Sequence, residues 1–192
     1  MTNKEVAIEK FTSYMKSKPE SVFAVFTHVD GKHLSTDYMI RLALALRYGK
    51  PLQEMPSHCG VIWVEDGELW YWHQTWPVFR KEKWRYRAYN HFIEIDTPDV
   101  VQYAKETARE MESSAVGYAI GTLINFAWTL WCRMKRNTVL IGEVCSSALA
   151  LILPSLILPE DDPYEYTHSD IDPYEAMFRL SIMGFNQFLV KK

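Results

Sequence analysis

At 192 residues, 48% of them hydrophobic and 23% charged, the chain has the length and composition of one globular domain and not of a disordered segment. Lys and Arg number 21 against 24 Asp and Glu, a net charge of −3, so no global field draws the chain to nucleic acid or to an anionic membrane. The three cysteines, Cys59, Cys132 and Cys145, are odd in number and share no spacing, which argues against a disulfide scaffold and a structural zinc site.

Met1 to Lys10 lacks the apolar stretch of a secretory signal, so a cytoplasmic location with free thiols is expected. Thr2 and Glu5 make a capping-box pattern, and Val6, Ile8, Phe11 and Met15 follow a helical stripe that ends before Pro19. Val22 to Phe26 reads as a strand and Asp30-Gly31 as a turn. Ser35 opens a helix through Tyr48, with Met39, Leu42, Ala43 and Leu46 on one face and Gly49 and Pro51 after its end. Gly60 to Val64 and Leu69 to Trp72 flank Asp66-Gly67, a hairpin signal. Lys83 to Tyr89 alternates as a strand does, with Lys81, Lys83, Arg85 and Arg87 on one face and Trp84 and Tyr86 on the other. Phe92 to Ile95 is a further strand. Thr97-Pro98-Asp99 then opens a helix to Ser113 that turns Val100, Val101, Ala104, Ala108 and Met111 inward.

Ala115 to Cys132 is 18 residues without a charge, and Val144 to Leu158 is a second uncharged run, interrupted by Pro154. The first sits at the lower length limit for a membrane span. Its Gly117, Tyr118, Gly121 and Asn125, and the proline in the second, favour two buried helices of a soluble core. Glu160 to Asp172 reads as an acidic loop and Tyr174 to Met183 as a helix. The whole chain, 1–192, is expected to be a single domain with a core over about 22–183 and helix 2–18 as an N-terminal appendage.

Cys145 precedes the helix-like run Ala148 to Leu153, so it falls in the first turn of a buried helix. There the helix dipole and unpaired N–H groups favour a thiolate and can hold an oxyanion; the competing reading is a buried structural cysteine. His58 stands at the mouth of a predicted buried strand, where an imidazole can act as a general base. Its neighbour Cys59 points to the opposite face and is expected in the core. His73 ends the second arm of the hairpin, so a tight turn brings it beside His58, one imidazole orienting the other. The basic face at Lys81 to Arg87 could suit a phosphate backbone, but a charge-guarded edge strand is the better reading. The acidic loop lacks calcium-loop spacing, and no glycine-rich phosphate loop or HExxH motif is present.

Ser57-His58-(Cys59)-Gly60-Val61-Ile62 resembles the histidine strand of the YiiX-like, circularly permuted NlpC-type papain-fold cysteine hydrolases, and Val144-Cys145-Ser146-Ser147-Ala148-Leu149 resembles their nucleophile helix. The order, histidine strand before cysteine helix, is that of the permuted group. Gly117-Tyr118 is similar to an element upstream of the family cysteine, and Asp172-Pro173-Tyr174 to a proline-led helix near the family C-terminus. Three places depart: His73 stands where the family has a glutamate, as in the Cys-His-His sites of unpermuted relatives, Ala119 replaces an aspartate, and Gly142-Glu143-Val144 replaces the usual aromatic or glycine-rich approach to the cysteine. The resemblance implies an α+β fold, a small antiparallel sheet packed on helices in permuted papain fashion. It also implies thiol-dependent hydrolysis of an amide by Cys145, with His58 as base, His73 as orienter, and the Cys145 N–H and Tyr118 at the oxyanion. No metal or organic cofactor is expected. The expected partner is a peptide or other amide substrate; nucleic acid is not expected and membrane contact is not favoured. The same fold and chemistry also serve lipid acyl hydrolases and acyltransferases of the lecithin–retinol acyltransferase type, which the apolar run Ala115 to Cys132 would suit. A catalytically inactive binding module on the same fold is the third reading.

Overall fold

The structure, a computed structural model, describes residues 3–28, 36–75, 78–86, 89–116, 145–158 and 171–191. The Asp30-Gly31 turn, Arg87, Tyr118, Cys132, nearly all of the run 115–132 and the acidic stretch 160–170 lie outside the described residues. The fold is mixed α and β, built on a six-stranded antiparallel sheet. Its strands are β1 (Val22–His28), β2 (His58–Glu65), β3 (Glu68–Gln74), β4 (Phe79–Lys83), β5 (Tyr89–Ile95) and β6 (Gln187–Lys191), in the order β4-β3-β2-β1-β5-β6. Around it lie α1 (Asn3–Lys16), α2 (Thr36–Tyr48), α3 (Pro98–Ser113), α4 (Cys145–Ile152), α5 (Pro154–Ile157) and α6 (Pro173–Ile182).

β1 is central and buried along its whole length, which is why its sequence, VFAVFTH, is apolar on both faces. Alternation sends Ala24 and Phe26 of β1, with Cys59, Val61 and Trp63 of β2, to one face, under Val101, Ala104, Ala108 and Met111 of α3 and Ala148 and Leu149 of α4. Phe23, Val25, Ile62 and Tyr71 go to the other, where Phe11 and Met15 of α1 cover them. The β2–β3 hairpin turns through Asp66 and Gly67, at φ 54° and 72°. Positive φ at both central residues is what a two-residue turn matched to strand twist requires. The uncharged run breaks at Pro154 as expected, into α4 and α5. α6 starts at Pro173, with Asp172 as its N-cap accepting the Glu175 N–H at 2.8 Å. Among the described residues, no helix is long and apolar enough to cross a membrane.

Three elements differ from the sequence reading. The alternating run from Lys83 does not continue as a strand: β4 ends at Lys83 and the next strand begins at Tyr89. β4 is one edge of the sheet and β5 lies beyond β1, and Trp84, Arg85 and Tyr86 belong to neither strand. Trp84 is buried there, in the core that α1 covers. The buried face of α2 is also rotated: Leu44 is sealed while Leu46 is 63% exposed. The cause is Arg41, turned inward to donate to Leu52 O at 2.7 Å and Met55 O at 3.0 Å. Finally, β6 was not expected; Phe188 and Val190 alternate toward the core under α1, and the strand pairs with β5.

Candidate active site

Cys145 is the first residue of α4, and Ala148 and Leu149, both buried, press that helix onto β2 and the rest of the core. Only 7% of Cys145 is exposed. Its sulfur meets the Cys59 thiol and backbone N–H and the His58 imidazole. The Cys59 S–H donor, outweighing burial and helped by the His58 charge and hydrogen bond and by the Cys59 N–H, holds the Cys145 thiol well below the ordinary thiol range. The Cys59 thiol is driven up, by its complete burial first and then by sharing a hydrogen bond with Cys145. Of the two thiols, Cys145 is therefore the more readily ionised, and it stands at the positive end of the helix.

His58 begins β2 and His73 lies near the end of β3, so the hairpin brings them to one end of the sheet. His58 Nε2 and His73 Nδ1 are 2.5 Å apart, with the rings nearly perpendicular at 82°. This is the side-by-side arrangement read from the hairpin. His73 is 2% exposed and stacks on the Tyr71 ring at 4.1 Å, interplanar angle 16°. That stack lies over Gly60 of the adjacent strand. A Cβ there would stand 2.7 Å from Tyr71 Cε2 and 2.8 Å from His73 Cβ, so only glycine lets β3 place its rings this close. Beyond His73, its Nε2 is 3.1 Å from Oε1 of Glu82 on β4. Glu82 Oε2 in turn lies 3.4 Å from Arg80 Nη2.

Of the residues singled out from sequence, the structure brings Cys145, His58 and His73 together, while Tyr118 lies outside the described residues. Two participants were missed. Cys59 was expected only to pack in the core; it does, but the face it packs toward is the one on which α4 sets Cys145. Glu82 was passed over because it sits among lysines and arginines; its signal was the same alternation, which puts it on the face opposite Lys81 and Lys83. Those two lysines are engaged elsewhere. Lys81 pairs with Glu65 and lies 4.5 Å over the Trp70 ring, and Lys83 reaches Glu68 at 3.3 Å. They stitch the edge strand to the hairpin. Among the described residues, no three of His, Cys, Asp and Glu are grouped to hold a metal ion. In comparison with known proteins, the chain matches no family model, no curated protein and no solved structure.

Proposed function

We propose that the protein is a thiol-dependent amide hydrolase, a cysteine peptidase or amidase, with a permuted papain-type arrangement of its site. The observation that carries this reading is Cys145 at a helix start, in contact with the His58 imidazole, whose Nε2 is 2.5 Å from His73 Nδ1. The resemblance of the strand at His58 and the helix at Cys145 to the permuted NlpC-type hydrolases supports it from sequence.

The chemistry follows from those positions. His58 takes the Cys145 proton, and the thiolate attacks the amide carbonyl carbon. The tetrahedral oxyanion is held by the Cys145 N–H at the start of α4. The C–N bond breaks as His58 returns its proton to the departing amine, leaving a thioester on Cys145. Water, deprotonated by His58, attacks that thioester, and the thiolate departs. His73 holds the His58 ring throughout. No metal or organic cofactor enters these steps.

The test is the pH dependence of Cys145 alkylation, read by mass, in the wild type, His58→Ala and His73→Ala. A thiol paired with imidazolium labels near its plateau rate already at pH ~6, whereas a free thiol needs pH ~8.5. His58→Ala is expected to move the profile toward the free-thiol value, and His73→Ala to move it less. Coincident profiles in wild type and His58→Ala would sink the reading. Cleavage of thioesters but of no amide would overturn the amide assignment.

A further inference from the structure

We propose that Glu82 is a positioning residue that sets the tautomers of both histidines and thereby keeps a bare imidazole nitrogen of His58 turned to Cys145; this rests on the thiol–imidazole reading above. Two contacts lie end to end: Glu82 Oε1 at 3.1 Å from His73 Nε2, and His73 Nδ1 at 2.5 Å from His58 Nε2.

A single proton occupies the gap between the two rings, and either ring could own it. A carboxylate beside Nε2 of His73 favours a hydrogen on that nitrogen. His73 Nδ1 is then an acceptor, and the shared proton belongs to His58 Nε2. Neutral His58 is left with a lone pair on Nδ1, which can receive the thiol proton. The reverse order fails: with the proton on His73 Nδ1, His58 would carry its hydrogen on Nδ1 and offer the thiol a donor.

Glu82 is placed for this task. It lies opposite Tyr71 in the β3–β4 register, on the sheet face of Tyr71 and His73. Arg80, opposite His73, holds its second oxygen. The other charged groups around it, Lys83 and Arg85, line the same cavity.

The experiment combines 15N spectra of the histidine rings with the Cys145 alkylation profile in wild type, Glu82→Gln, Glu82→Ala and a remote control, Glu9→Gln. Wild-type His73 is expected to be protonated on Nε2 with Nδ1 bare. In Glu82→Ala the His73 signals should move to a mixture of tautomers, and alkylation at pH 6 should fall about two- to fivefold, the range of a partly exposed charge contact. Glu82→Gln removes the charge beside His73 Nε2, so it should shift the tautomer and the profile in the direction of Glu82→Ala, to a smaller extent. Glu9→Gln should match wild type. Wild-type His73 protonated on Nδ1 would overturn the proposal, as would a Glu82→Ala protein with unchanged tautomer and profile. The wild-type spectrum decides by itself should Glu82→Ala not fold. A wild-type Cys145 that labels like a free thiol would overturn the hydrolase reading instead, and the His73 tautomer would still judge Glu82.

Discussion

At the scale of single residues, what could be read from sequence was whatever a short, tight turn determines. The pairing of His58 with His73 follows from the Asp66-Gly67 hairpin, since two central residues with positive φ fix the register of the arms. Glu82 was not legible, because the register of β4 on β3 depends on the connection after Gln74 and not on a recognisable turn. The Cys59–Cys145 contact depends on where a helix 86 positions later lands, which no local pattern encodes. His28 shows the same dependence and yields a pH prediction. It is 5% exposed, and burial first, then the Arg41 and His91 charges, lowers its pKa to about 4, against the backbone carbonyls of Gln53 and Met55 that favour its protonated form. The folded chain keeps His28 neutral while the unfolded chain protonates near 6.5. The stability is therefore fully present above pH 6.5 and drains as pH falls to 4. A shift of that size is worth about 3 kcal/mol. Burial lowers the His91 pKa too, which adds a loss of the same sign. Urea midpoints at pH 7 and 4.5 should fall further for wild type than for His28→Asn; parallel losses would refute the assignment.

At the scale of elements, periodicity identified most helices and strands and failed where tertiary geometry overrode it. Lys83 to Tyr89 has a strand's alternation, yet Trp84, Arg85 and Tyr86 are not in a strand, and Trp84 and Tyr86 pack into the core that α1 covers. β6 is five residues long, too short for its alternation to stand out, and its pairing with β5 supplies what its sequence does not. α6 is the opposite case, an element whose start is written locally as Asp172-Pro173. The Asp172 carboxylate is fully buried, caps Glu175 N–H at 2.8 Å, accepts from Tyr48 Oη at 2.7 Å and lies 3.3 Å from Arg47. Asp172→Ala removes the cap and strands the Tyr48 hydroxyl, a cost of about 2–4 kcal/mol. Asp172→Asn keeps an oxygen for the cap and gives up only the charge toward a partly exposed arginine, worth about 1 kcal/mol or less. Thermal melts should rank the proteins wild type, then Asn, then Ala. Equal losses for Asn and Ala would mean that the charge, not the cap, holds α6.

At the scale of the molecule, the sheet separates two cores that share the same strands, and the candidate site draws on both. The core under α1 gathers the start, middle and end of the described chain: Phe11 lies 4.7 Å from Phe92 and 5.0 Å from Phe188, and Thr12 bonds Tyr86 at 2.9 Å. Tyr71, on which His73 stacks, belongs to that core. The core on the other face holds α4 and with it the sulfur. Stability and thiol chemistry should therefore be separable by the choice of core. Met15 and Leu149 are each fully buried, one on each side. Truncating either to alanine should cost about 2–5 kcal/mol. A domain with about 5–15 kcal/mol of stability tolerates a single such loss. Leu149 sits one helical turn below Cys145 and locks α4 against β2, so Leu149→Ala frees the helix start to shift relative to Cys59 and His58. The contacts that hold the thiol down then lengthen, and the Cys145 alkylation profile should move to higher pH. Met15 touches the opposite side of the sheet, where its loss loosens α1 without moving α4. Met15→Ala should thus lower the melting temperature comparably and leave the profile in place, measured well below the melt. A Met15→Ala profile displaced as far as that of Leu149→Ala would show that the sheet transmits packing between its faces, and that the thiol's acidity is a property of the whole fold and not of the seat of α4.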